Sequence, residues 1–146
     1  MKFQTRKQVR FHHCDPAGIV FYPQYFYLLH EVQEDFLAHI GFPEHVLIAG
    51  GMGVPIVDLK VEFLGMCRHG DSLTITLELT RLGNASLGMQ YEIHGDPASP
   101  GGVSAIKLRA HGVVVYSELP NGKPAALPEP MRDALAPYLK ASQGTT

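Results

Sequence analysis

The chain has no tryptophan, and its only cysteines, Cys14 and Cys67, form no CxxC pair. So few thiols at that spacing give no expectation of a disulfide framework or a zinc knuckle. Charge of one sign is also lacking: 12 Lys and Arg stand against 14 Asp and Glu, a formal net charge of −2. That balance gives no reason to expect a nucleic-acid or anionic-membrane partner. No apolar run approaches the ~20 residues that a membrane span needs. The stretch Met1-Lys2-Phe3-Gln4-Thr5-Arg6 has no signal-peptide apolar core. There is no internal repeat and no linker. The expectation is a cytoplasmic soluble protein with neither nucleic acid nor membrane as partner.

What is present is ordinary globular composition, 45% hydrophobic and 18% charged over 146 residues. One domain over residues 1–146, with a substantial core, is expected. The longest pattern runs from Pro23 to Ile40. Pro23 suits the first helical position, where its missing N–H is no loss. Tyr25, Leu29, Val32, Phe36 and Ile40 then recur at spacings of three and four, and Phe26, Leu28 and Leu37 widen the stripe. Gln33, Glu34, Asp35 and His39 fall mainly on the other side. Gly41 and Pro43 end the run. Such a helix is about 27 Å long and needs a sheet or another helix to cover it.

Alternation predicts strands around it. Phe3 to Phe11 alternates before the helix. Residues 57–63, 73–79 and 87–93 alternate after it, and Val103 to Tyr116 reads as a long interior strand. Arg68-His69-Gly70-Asp71 and Leu82-Gly83-Asn84-Ala85 read as hairpin connections. Gly50 to Gly53 reads as a hinge or turn and Glu44 to Ala49 as a short helix. Gly95 to Gly102 reads as a Pro/Gly loop, Pro128 to Leu139 as a short terminal helix and Ala141 to Thr146 as a frayed tail. The order of strand, long helix and four strands is α+β, an antiparallel sheet wrapped around one long helix.

The chemistry concentrates just before that helix, in His12-His13-Cys14-Asp15-Pro16-Ala17-Gly18-Ile19-Val20-Phe21-Tyr22-Pro23. The first N–H groups of a helix have no internal partner and carry positive potential, so they stabilise an anion or a developing oxyanion. Pro23 has no N–H, which leaves Tyr22, Gln24 and Tyr25 as donors. Asp15 alone reads two ways: as a turn aspartate, since Asp-Pro with Gly nearby is common turn chemistry, or as a base beside an oxyanion site, which acyl hydrolysis requires.

Cys14-Asp15-Pro16-Ala17-Gly18-Ile19-Val20-Phe21-Tyr22-Pro23, the later Gly53-Val54-Pro55-Ile56-Val57 and the element order together resemble the 4-hydroxybenzoyl-CoA thioesterase family of hotdog-fold enzymes. The resemblance runs roughly from Gln4 to Tyr116. It implies a hotdog fold and hydrolysis of an aromatic or short-chain acyl-CoA thioester to free acid and coenzyme A, with no metal or organic cofactor. It implies that Asp15 attacks the thioester carbonyl or activates water, and that the Tyr22 N–H holds the thioester oxygen. It also implies a homo-oligomer, dimer or tetramer, with active sites at the subunit boundary.

Four further residues are substrate-binding candidates. Glu31 stands where many members carry an acid, and in isolation reads equally as a solvated helix glutamate. One position earlier the resemblance implies an acid against a para-hydroxyl; His30 stands there, which argues against dependence on that hydroxyl. His13 stands where another Asp is common; by itself it reads as a surface or core histidine. Arg81 is the one charge in a turn, Arg81 to Ser86, where the resemblance implies a basic run for the coenzyme A phosphates. His12, His13 and Cys14 invite a metal, but on an extended chain they do not give three converging ligands. A non-catalytic acyl-thioester-binding hotdog and a hotdog hydratase or dehydratase, using His13 or His30, are the other readings.

Overall fold

The computed structural model describes residues 1–97 and 105–141. The expected loop from residue 98 onward, the start of the Val103 strand and residues 142–146 of the expected tail lie outside them. A strand, β1 (Phe3–Gln8), precedes the long helix α1 (Pro23–His39) and a short helix α2 (Glu44–Ala49). Then come β2 (Met52–Gly53), β3 (Ile56–Phe63), β4 (Ser72–Leu82), β5 (Ser86–Gly95), β6 (Ile106–Val115), β7 (Ser117–Glu118) and α3 (Glu129–Leu135). Five strands form one antiparallel sheet in the order β1-β4-β5-β6-β3.

The sheet's inner face is built by alternation. Leu73, Ile75, Leu77 and Leu79 of β4 are wholly buried, as are Met89 and Ile93 of β5 and Leu108 of β6. Tyr25, Leu28, Leu29, Val32, Phe36 and Leu37 bury the apolar stripe of α1 in the same core. The helix starts at Pro23 and ends against Gly41, whose φ of 95° is a left-handed conformation open to glycine. The C-terminal segment closes the far end. Tyr138 packs edge-on against Phe36 with centroids 4.9 Å apart, and Arg132 donates to the Gly83 carbonyl at 2.7 Å.

Four expectations are corrected. Arg68–Asp71 is a turn but not a β3–β4 hairpin. Its Asp71 N–H donates to the Arg68 carbonyl, while beyond the end of β1 the Val9 N–H donates to the Asp71 carbonyl and the Val9 carbonyl accepts from the Gly70 N–H. That carries the chain across, so β3 pairs with β6 and β4 with β1. The Gly50–Gly53 stretch is a turn only at Gly50 and Gly51, because Met52 and Gly53 pair with Ser117 and Glu118. Phe11 does not continue the first strand; Phe11–His13 is a 3-10 turn and the Phe11 ring is 81% exposed. β3 does not have one buried and one wet face: along it only Val61 is even half-buried.

Candidate functional site

Between Cys14 and Val20 the chain doubles back as a two-stranded ribbon. Asp15 N–H donates to Ile19 O at 3.0 Å, Gly18 N–H to Asp15 O at 2.9 Å, and Ala17 N–H to Asp15 Oδ1 at 2.9 Å. The turn works because Pro16 presets φ at its second position and Gly18, at φ 80°, adopts a conformation that side chains disfavour. Asp15 is half-buried, in a cleft of about 410 Å³ that it shares with Phe11, Cys14, Pro16, Gly18 and His69.

The ribbon continues past Phe21, whose N–H donates to His13 O, to Tyr22 at the cap of α1. Gln24 N–H and Tyr25 N–H are already spent on the carbonyls of Phe21 and Tyr22. This corrects the expectation of three free donors: of those three, only the Tyr22 N–H has no partner among the described residues. The Tyr22 ring is 59% exposed and meets Phe21 and Phe63, with centroids 5.5 and 6.3 Å away. The helix start is thereby fastened to the exposed end of β3.

A second region lies further along α1. Phe26, Leu29, Val54, Pro55, Leu59 and Leu119 wall a mainly apolar cavity of about 380 Å³, which His30, Gln33 and Tyr91 also line. At its edge a Cβ on Gly53 would meet Leu119 Cδ2 at 2.7 Å, a contact that the exposed leucine side chain can relieve by turning away. His30 stands at the rim, half exposed, with Nε2 2.9 Å from Glu34 Oε1 and 3.2 Å from Glu44 Oε2. These three are the group of potential metal-ligand side chains that converges among the described residues, their ligand atoms lying within 4.8 Å of one another. Gln33 is only 4% exposed; the Tyr91 hydroxyl donates to its Oε1 at 3.1 Å and also meets Met89 Sδ at 3.3 Å. Burial raises the Tyr91 pKa, so the hydroxyl stays a donor.

The remaining candidates are dispersed. His13 is buried beside Lys7, Arg10, His12 and Glu31 in a polar recess of about 310 Å³. Its Nδ1 accepts the Arg10 N–H at 2.8 Å. Burial first, and then the neighbouring His12, hold its pKa below the usual histidine value, which keeps the ring neutral near pH 7. Glu31 pairs with Lys7 at 3.3 Å, and Asp35 holds the same ammonium at 3.1 Å. Burial alone would lower the Lys7 pKa, but the two carboxylates outweigh it and raise it. Arg81 is exposed and donates to Ser86 Oγ at 2.8 Å. Burial, with Asp15 and Asp71 nearby, raises the Cys14 thiol pKa and makes it a poor nucleophile.

So the fold groups His13 with Glu31, leaves Asp15 in its own cleft, and puts His30 in the apolar cavity. Gln33, Tyr91, Glu34 and Glu44 were not singled out from the sequence. Gln33 had a signal: Leu29, Gln33 and Leu37 are spaced by four, which puts Gln33 on the buried stripe despite its polarity.

Residues 9–135 match the thioesterase-like superfamily. A 1,4-dihydroxy-2-naphthoyl-CoA hydrolase from Synechocystis sp. is 27% identical over 135 residues, 91% of this chain and 94% of that protein. A 4-hydroxybenzoyl-CoA thioesterase from Pseudomonas sp. strain CBS-3 is 27% identical over 115 residues, 77% of this chain and 80% of that protein. Among solved structures, a 1,4-dihydroxy-2-naphthoyl-CoA thioesterase from Synechocystis superposes with a TM-score of 0.83 at 26% identity, covering 93% of this chain and 96% of that one. The fold is the hotdog.

Proposed function

The chain belongs to the thioesterase-like superfamily, and we propose that it hydrolyses the thioester of an aromatic or short-chain acyl-CoA to the free acid and coenzyme A. The observation that carries this reading is the unpaired Tyr22 N–H at the first turn of α1, on the same ribbon as the half-buried Asp15 carboxylate. The relatives named above, thioester hydrolases by name, support it. In this reading the thioester oxygen accepts from the Tyr22 N–H, and charge that develops on it is stabilised by the helix terminus; one such donor is worth about 3 kcal/mol. Asp15 either adds to the carbonyl carbon, expelling the coenzyme A thiolate to leave a mixed anhydride that water opens to the free acid, or takes a proton from water that adds there and expels the thiolate. His13, His30, Glu31 and Arg81 bind the rest of the substrate.

The working unit in this proposal is a homodimer or a tetramer, joined along β3. Ile56, Val57, Leu59 and Phe63 leave that edge 37–62% exposed, and an uncovered apolar edge is unstable in isolation. Because Tyr22 touches Phe63, a partner on this edge lies against the helix start. A cytoplasmic location is proposed with it; no helix among the described residues is long and apolar enough to cross a membrane.

The test is thiol release from a panel of aryl- and alkyl-CoA thioesters, with hydration of enoyl-CoA followed in parallel. Thiol release without hydration is expected. Hydration without release gives a hydratase. Tight binding without either gives a binding module.

A further inference from the structure

The polar groups of the α1 cavity do not stand at one depth. His30 is at the rim, held by Glu34 and Glu44. Gln33 is at the floor, 4% exposed. The Tyr91 hydroxyl has one proton and donates it to the Gln33 amide oxygen, a stronger acceptor than the nearby Met89 Sδ, so the oxygen faces Tyr91 and the nitrogen faces away. That nitrogen has no partner among the described residues. Yet among the described residues no buried polar side-chain atom is both sealed from solvent and unpaired. The amide N–H groups therefore open onto the cavity that Gln33 lines.

A lone pair of amide donors at the floor of an otherwise apolar cavity is costly to leave unmatched. An unpaired buried donor forfeits about 1–3 kcal/mol. A ligand that is apolar throughout leaves these donors dry and unpaired. One that carries an oxygen acceptor at its far end pairs them. A cavity of about 380 Å³ is within the range that holds a small organic group.

We propose that the cavity is the acyl site, and that Gln33, positioned by Tyr91, reads an oxygen acceptor at the far end of the acyl group. The ligand class is an acyl group that fills the cavity to its floor and carries an oxo, ether or hydroxyl oxygen there. Rim and floor thus read different parts of the acyl group: His30 meets what lies near the mouth, Gln33 what lies deepest. The inference rests on the thioesterase reading for the word acyl; the pocket's preference itself does not depend on catalysis.

The experiment uses matched pairs of acyl-CoA thioesters: benzoyl, naphthoyl and octanoyl, each with and without an oxo, methoxy or hydroxyl group at the far end. Thiol release gives kcat/KM, and calorimetric binding of the corresponding free acids gives a readout independent of turnover. In at least one scaffold the wild type is expected to favour the oxygen-bearing member at least tenfold by both readouts. In Gln33→Met the ratio falls below threefold. In Tyr91→Phe the amide is free to turn its oxygen to the cavity, so the oxo and methoxy members lose ground to the hydroxyl member. The proposal is overturned if no oxygenated member is favoured in the wild type, or if the preference survives in both folded variants. If no thioester is cleaved but the acids still show a Gln33-dependent preference, the hydrolase reading fails and the floor site stands.

Discussion

At its first turn α1 offers backbone, and in its middle it offers side chains. The start is a cap without a side-chain cap bond, one unpaired N–H and a carboxylate on a preceding turn. The middle is a pre-formed apolar cavity with two fixed polar groups, His30 held by carboxylates and Gln33 held by a tyrosine. Charge develops at a reacting carbonyl whatever acyl group is attached, so backbone donors suffice at the start. Telling one acyl group from another needs side chains, which differ from protein to protein. On the proposed reading, rate resides before and at the start of α1 and selectivity in its middle.

The sharpest way to break that division is Asp15→Asn. The amide keeps the turn-forming ability of the carboxylate but is neither nucleophile nor base. We expect kcat to fall at least about a hundredfold, roughly 2.7 kcal/mol, with thermal stability kept and the ranking of acyl groups unchanged. Steady-state kinetics across the acyl panel checks both; a changed ranking would merge the two regions.

Next in size is Leu29→Ala. Leu29 is 4% exposed and borders the cavity. Its loss is expected to cost about 2–3 kcal/mol, the low end for such truncations because one side already faces open space. Denaturant unfolding measures this, and KM should shift toward bulkier acyl groups while kcat on them holds.

A smaller effect is expected at the β3 edge, where we propose that a partner docks. Val57→Lys puts a charge on the exposed strand β3, where Val57 is 62% exposed. Sedimentation of the wild type should give at least twice the 16.0 kDa of one chain. The variant should weaken association about tenfold, roughly 1.4 kcal/mol.

The smallest lies far from both regions. Glu92 is held by Arg109 at 3.1 Å and His94 at 3.2 Å across the outer face. Burial alone would raise its pKa, but these two partners outweigh it, so the carboxyl sits below its ordinary value of 4.5. A carboxylate with a depressed folded pKa adds stability above its unfolded pKa and loses it as pH falls through the folded one. Arg109→Ala should cost only about 0.2–1 kcal/mol at pH 7, since the arginine is 41% exposed. The difference from wild type should shrink in melts below pH 4.5. Activity should not change.

The helix was legible from its residues because Tyr25, Leu29, Val32 and Phe36 repeat at the period that a covered face demands. The strand cores were legible for the same reason, since Leu73 to Leu79 and Leu87 to Ile93 alternate. Pairing was not. A turn such as Arg68–Asp71 looks alike whether it joins neighbours or carries the chain across a sheet, and only the bonds to Val9 decide it. β2 and β7 are two residues each, too short to carry a period. At the proposed site, a turn and a helix cap have local signatures that make Asp15 and Tyr22 candidates, and the motif around them carries the family resemblance that implies their roles. Gln33 is hard to read from sequence, because a polar residue suggests exposure and its partner Tyr91 is 58 residues away in the chain. His13 fits an extended strand by sequence but lies in a 3-10 turn, which sends it into a recess of its own.

The division between the start and the middle of α1 is put to its hardest test by a double-mutant cycle of Asp15→Asn and Gln33→Met, with kcat/KM measured on the acyl-CoA that the wild type prefers. Residues that share no cleft and no partner contribute additively, within about 0.5 kcal/mol. Asp15→Asn is expected to lower kcat/KM by the same factor, within about threefold, whether residue 33 is Gln or Met. A factor that differs between the two backgrounds by more than tenfold, roughly 1.4 kcal/mol, would mean that the carboxylate and the cavity floor act as one unit, and would contradict the division.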